Sequence, residues 1–319
     1  MSSLPFPNTT RRLRLWVTLA FLYVYVAWSM TYMALHYALE SLPPFLIGAG
    51  RFFIAGWILF AFIAVFLRRE FHWGSPREWR DASIVGTILF LGGNGSVAWA
   101  QQYVNTSTAA LIFGTIPLFI ILFEWVRPGG VRPTLRTGLG LLMGFAGVCL
   151  LVKPAPDLPH NGMEIWGKVA LLLAAIAWAA GAIYSRFHHA KGSPLLPMAR
   201  QLICGGTVLF VITLLRGDLT HFSPWHMTLH ALLGFAYLVG PGSLLGFTAY
   251  AWLLRVSTPE RVSTVSYVNT VLAVLLGWAV GEPMSLRIVI GSAVVVASVV
   301  LVLKKKSVRD TVDATPTEA

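Results

Sequence analysis

Apolar residues run along this chain in long blocks, broken by short clusters of Arg, Pro, Gly and Asn. A helix that crosses a bilayer needs roughly 20 mainly apolar residues. The blocks predict ten such spans, at residues 15–39, 44–67, 81–103, 106–126, 134–152, 163–186, 195–215, 227–254, 260–281 and 285–303. From Ala82 to Phe123 there is no Asp, Glu, Lys or Arg, yet Asn105-Thr106-Ser107-Thr108 breaks the middle, which predicts two spans joined by a tight turn. The first block is longer than the apolar region of a secretory signal and lacks a small-residue cleavage site, so it is expected to be retained.

Composition settles the class. A chain of 319 residues would ordinarily suggest about two soluble domains. Here 56% of residues are hydrophobic and only 12% charged, with a mean hydropathy of +0.70. Too little polar surface remains to cover a soluble globule, so the expected fold is an all-α integral membrane bundle. Cys149 and Cys204 both lie in apolar blocks and give no disulfide framework.

The net charge of +11 is explained by where the basic residues sit. With a cytoplasmic N-terminus, 18 of the 24 Lys and Arg residues fall in cytoplasmic segments, among them Arg11, Arg68, Arg77, Arg132, Lys191, Arg261 and Lys304. Lys153, Lys168, Arg216 and Arg287 fall on the outer side, and Arg51 and Arg200 lie within spans. This positive-inside bias predicts both termini in the cytoplasm and removes any need for a nucleic-acid partner.

Landmarks recur at nearly one offset. Trp28 in VAW returns as Trp178 in IAW, and Arg51 in GAGRFFIAG as Arg200 in PMARQLICGG. The stretch Gln102–Thr106 aligns with Leu254–Thr258, and Gly140 and Gly147 align with Gly291 and Ser298. The expected organisation is a cytoplasmic segment 1–14, a five-helix repeat 15–152, a second five-helix repeat 163–303, and a polar cytoplasmic tail 304–319. Five spans is an odd number, so the second copy enters the membrane inverted. Inverted repeats suit secondary transporters, because two mirrored halves can rock around a midplane site.

Gly- or Pro-interrupted spans at matching places are the best sequence pointer to such a site. The third span of each repeat has one: Gly92-Gly93-Asn94-Gly95 and Gly240-Pro241-Gly242-Ser243. Gly92, Gly93, Gly95, Gly240, Pro241 and Gly242 are therefore candidate hinge residues. Close packing of small residues is the competing explanation. Among the aromatics, Trp28, Trp99, Trp178, Tyr250 and Tyr267 lie deep in spans and suit a flat or amphipathic solute. Asn94, Gln101 and Asn269 are candidate polar contacts. Arg51 and Arg200, each near a span end, read as structural anchors able to snorkel.

No Asp or Glu falls at the middle of a span; Glu40, Glu124, Glu164, Glu260 and Glu282 are all near ends. Ion-coupled pumps usually carry an intramembrane carboxylate, so its absence favours facilitated movement, or coupling by other means. No phosphate-binding loop is present, and His226 and His230 have no acidic or Cys companion, so no enzyme, cofactor or metal is expected.

Ten spans in two inverted halves, the AW pair in the first helix of each, Pro44…Arg51 and Pro194…Arg200, and GWAVGEP at 277–283 resemble the EamA-type branch of the drug/metabolite transporter superfamily. The likeness covers about residues 13–305. Such proteins often carry a Pro in the fourth helix and a Gly-Glu at its end. This chain keeps Gly281-Glu282 but has Asn269 in place of the Pro, and it keeps Pro117 but has Pro128-Gly129-Gly130 in place of Gly-Glu. The resemblance implies a bacterial inner-membrane exporter with a cavity lined by helices one, three, four, six, eight and nine. Within the branch the chain is most similar to aromatic amino-acid exporters. Its expected partners are then a small molecule, an aromatic amino acid above all, and the lipid bilayer. A monomer is compatible with the pattern. Export of hydrophobic drugs or other metabolites is the nearest alternative, and a membrane scaffold or integral-membrane enzyme the more distant one.

Overall fold

In the computed structural model, residues 7–127, 132, 134–152, 162–187, 194–220, 222–257, 262, 264–279, 281–282 and 285–303 are described. Among them every regular element is a helix. In the first repeat these are α1 (Pro7–Ala38), α2 (Pro44–Phe66), α3 (Pro76–Gly86, Thr87–Gly95 and Ser96–Ala100), α4 (Thr106–Phe113 and Ile116–Val126) and α5 (Leu135–Val152). In the second they are α6 (Met163–Phe187), α7 (Leu195–Leu215), α8 (Leu229–Tyr237, Leu238–Leu245 and Gly246–Val256), α9 (Thr264–Ala279) and α10 (Leu286–Leu303). Seven are long and apolar enough to cross a membrane, while α9 and α10 contain shorter apolar stretches. The tail 304–319 lies outside the described residues.

Helix ends follow local chemistry. α3 begins at Pro76 rather than at 81, because Ser75 and Glu78 form a capping box and Pro76 occupies the first turn. α4 starts where the Asn105 side chain accepts from the Thr108 amide, 2.9 Å away. α1 begins eight residues ahead of the first span, at Pro7, within the segment read as an N-terminal extension.

Packing is reciprocal between the repeats. α1 lies against α8 and α9, while its counterpart α6 lies against α3 and α4. α2 packs along α7, and α5 along α10, each helix against its own equivalent. The α2–α7 seam depends on small residues. A Cβ on Gly56 would meet the Ile203 amide nitrogen at 2.8 Å, and one on Gly206 would meet the Phe53 amide nitrogen at 2.5 Å. Backbone thus touches backbone, which dispersion favours where lipid supplies no hydrophobic drive. Trp57, Phe62, Leu142, Leu214 and Leu233 point outward, as a lipid-facing shell requires.

Neither interrupted span unwinds. Thr87–Gly95 and Leu238–Leu245 are both π-helical, continuous with the α-helix on either side. The wider turn frees carbonyls, and such bulges often mark functional sites. Two are taken up by α1: Tyr23 Oη donates to Pro241 O at 2.9 Å, and Trp28 Nε1 to Gly242 O at 3.1 Å.

Val at position 206 is expected to cost about 1–3 kcal/mol by overpacking against Phe53, measured as a lower melting temperature in detergent. Ala at Gly138, with nothing within 4 Å of its Cβ position, should leave that temperature unchanged or higher.

Candidate functional site

The two first-helix tryptophans sit on the π-helical segments of the opposite repeat. Trp28 lies against Gly242 and Gly246, and Trp178 lies 2.9 Å from the Cβ position of Gly93. A side chain at Gly93 would displace the indole. Glycine there makes room for a large ring close to backbone. At Gly92 a Cβ would stand 3.0 Å from Ala177, and at Gly95 3.0 Å from Leu209. Gly240, by contrast, has nothing within 4 Å.

Around these tryptophans is a cavity of about 310 Å³. On one wall, Trp28 packs against Phe247 and Tyr250 with ring centroids 5.3 and 5.0 Å apart. On the other, Trp178 meets Phe113 edge-on at 5.7 Å. Asn94, Asn269, Thr31, Tyr32 and Thr270 add polar atoms, and Pro117, Ile120 and Ile121 add apolar ones. Asn269 Oδ1 accepts from Ser29 Oγ at 2.7 Å, and Asn94 Nδ2 donates to Leu89 O at 3.4 Å. Helices α1, α3, α4, α6, α8 and α9 line the cavity, and α2 adds Arg51.

Its shape follows from α4. The first segment of α4 packs on α9, whereas the second leaves α9 and packs on α6. The two helices therefore touch at one end of the bundle and diverge toward the other. The contact is tight: Cβ positions on Gly114 and Gly277 would run into Thr270 Oγ1 and Ser107 Oγ respectively. Beyond it an apolar plug of Leu35, Ala38, Val97, Ala100, Val104 and Ala273 closes that end.

Glu282 locks the same end. Its carboxylate accepts from the amides of Thr106 and Ser107, at 2.8 and 2.9 Å, and from the Ser107 hydroxyl. These are the first amides of α4, where a negative charge also meets the positive end of the helix dipole. The carboxylate comes from the other repeat, so it clasps the two halves together.

The structure brings together Trp28, Asn94, Trp178, Tyr250 and Asn269. It does not bring Trp99 to them. That ring packs on Tyr103, 5.1 Å away, at the rim of the apolar plug. Gln101 lies in a second hollow of about 360 Å³ beside Glu282, where Gln101 Nε2 donates to Tyr32 O at 3.2 Å. The side chain of Tyr267 lies outside the described residues. Sequence reasoning missed Phe113, Phe247 and Tyr32; Tyr32 stands one helical turn beyond Trp28, a spacing that could have signalled it. Among the described residues no group of His, Cys, Asp or Glu could hold a metal ion.

Arg51 and Arg200 differ sharply. Arg200, 1% exposed, pairs Nη1 with Glu78 Oε1 at 3.0 Å and donates Nη2 to His72 O at 2.7 Å. Its guanidinium fills the space beside Gly74, whose φ of +92° is the left-handed region where a side chain would be strained. These contacts tie Arg200 to the segment that precedes α3 and to Glu78 within it. Arg51 instead faces the cavity.

Known proteins give a consistent picture. The model of the EamA-like transporter family matches residues 15–153 and again residues 165–304. The chain is 32% identical over 282 residues to the uncharacterized inner membrane transporter YedA of Escherichia coli K12, covering 88% of each. It is 21% identical to the uncharacterized transporter YoaV of Bacillus subtilis, over 88% of this chain and 94% of that one. A solved crystal structure, 22% identical, shares the fold with a TM-score of 0.61 over 89% of this chain and 95% of the other.

Removing the Glu282 clasp is expected to loosen the closed end. In a background with Cys149 and Cys204 replaced by Ser, a Val97→Cys probe should react several-fold faster with a water-soluble maleimide once Glu282→Ala is added. Equal labelling rates would show that the carboxylate does not hold this end shut.

Proposed function

The chain belongs to the EamA-like transporter family, a multi-pass membrane transporter built from two copies of that unit, and from that premise we propose that it exports aromatic amino acids across a bacterial inner membrane. The observation that carries this reading is the cavity between the two aromatic walls, Trp28–Phe247–Tyr250 and Phe113–Trp178. Aromatic rings lining the space suit a flat side chain, since aromatic pairs gain about 0.5–1.5 kcal/mol beyond area burial. At about 310 Å³ the space is within the small-molecule range of roughly 300–1,000 Å³.

The bias of Lys and Arg supports a cytoplasmic N-terminus. The end where α4 and α9 diverge then faces the cytoplasm, and the end closed by the apolar plug and Glu282 faces outward. Substrate enters from the cytoplasm and seats between Trp28 and Trp178. The halves then rock about the π-helical segments, parting α4 from α9 and opening the outer end. No carboxylate lines the cavity among its described residues, which supports movement down the substrate's own gradient. Resemblance to a transporter named for the inner membrane supports that location.

Counterflow in liposomes holding only this protein tests the reading. Trapped unlabelled phenylalanine should drive uptake of labelled phenylalanine without an ion gradient, and hydrophobic cationic drugs should not compete. Uptake that appears only with a proton or sodium gradient would overturn the uncoupled mechanism; none under any gradient would overturn the substrate. Trp178→Ala should lower uptake about tenfold, equivalent to ~1.4 kcal/mol, while Trp99→Ala, outside the cavity, should transport like the parent.

A further inference from the structure

Arg51 is buried, 7% exposed, yet among the described residues its charge has no counter-ion. Nε donates to Ser243 Oγ at 2.9 Å, and the guanidinium carbon stands 4.5 Å over the Phe52 ring. Among the described residues, neither Nη1 nor Nη2 makes a hydrogen bond or ion pair. Arg51 is also the sole charged side chain among the described residues that line the cavity. An unmatched cation at this depth is expensive and ordinarily marks a functional site.

Arg200 serves as an internal control. It holds the equivalent place in the second repeat, where Glu78 neutralises it and a backbone carbonyl takes a second donor. The same position thus carries one arginine matched by the protein and one left open toward the cavity. Ser243, from the π-helical segment of α8, fixes the open guanidinium through its Nε edge. The Nη edge remains as a planar pair of donors, the geometry that grips a carboxylate through two parallel hydrogen bonds.

We infer that Arg51 is the anion-binding residue of the cavity, and that the transported class is small organic carboxylates with an aromatic body. This rests on the reading that the cavity holds the exported solute. The carboxylate docks on the Nη edge while the ring lies between the aromatic walls. Among the described lining residues an ammonium group would meet ring faces and neutral oxygens such as those of Thr31, Asn94 and Asn269 but no carboxylate, so the cavity reads the carboxylate and tolerates the amine. Ser243 is a positioning residue that acts through Arg51.

Binding to the full-length protein in nanodiscs decides it, with three labelled probes: L-phenylalanine, 3-phenylpropanoate and phenethylamine. The parent should bind both carboxylates and hold phenethylamine at least tenfold more weakly. Arg51→Gln should weaken both carboxylates tenfold or more without weakening phenethylamine, and Arg51→Lys should recover part of the loss. Equal binding of all three probes, no binding of either carboxylate, or undiminished carboxylate binding by Arg51→Gln would overturn the inference. If Arg51→Gln fails to fold, Ser243→Ala replaces it: a several-fold loss confined to the carboxylates is expected, and unchanged affinities overturn it. Arg51-dependent binding of 3-phenylpropanoate without phenylalanine counterflow would keep the anion site and reject the amino-acid reading. Phenylalanine counterflow that survives Arg51→Gln would do the reverse.

Discussion

Hydrocarbon supplies no hydrogen bonds, so every polar group at membrane depth has to be matched from inside the protein. Most of this structure can be derived from that constraint. The carbonyls released by the π-helical turn of α8 are taken up by Tyr23 and Trp28 of α1. The first amides of α4 are taken up by Glu282. Arg200 is matched by Glu78 and His72. Each match crosses between the repeats, so satisfying the backbone and joining the halves are one event. Gln101 Oε1 and Arg200 Nε are buried without a hydrogen bond, but the departure that falls in the cavity is Arg51, whose charge has no counter-ion among the described residues.

The contacts divide into those suited to hold and those suited to part. Along α2–α7, glycines bring backbone against backbone and leave no side chain free to move aside. A seam of that kind separates only at the cost of many dispersion contacts at once. Between α4 and α9 the junction is confined to one end and depends on Gly114, Gly277 and a few hydrogen bonds that water could replace. The fold therefore has a stiff axis and a breakable corner.

Spans and repeats were legible because twenty apolar residues in a row admit little besides a membrane helix, and because Trp28, Arg51 and their mates kept nearly one spacing. Which deep aromatic faces the cavity was less legible. Trp99 and Trp178 lie in equally apolar surroundings, and only the divergence of α4 from α9 decides between them. The roles of the arginines were hidden for another reason. Glu78 reaches Arg200 from 122 positions away, and nothing local reveals that Arg51 has no such partner among the described residues. Glu282 looked like an acid at a span end, and it is one; that it closes a helix 175 residues earlier is a property of the tertiary fold.

The clasp made by Glu282 has no counterpart in sequence at the other end of the bundle, where the first repeat reads Pro128-Gly129-Gly130. A carrier built from two copies of one unit but fastened unequally at its two ends would have closed forms of unequal free energy. An uncoupled carrier gains no net direction from this, since the standing imbalance cancels around a full cycle. It does set where the empty carrier waits, and a carrier that waits on one side must spend part of its affinity for ligand arriving from the other.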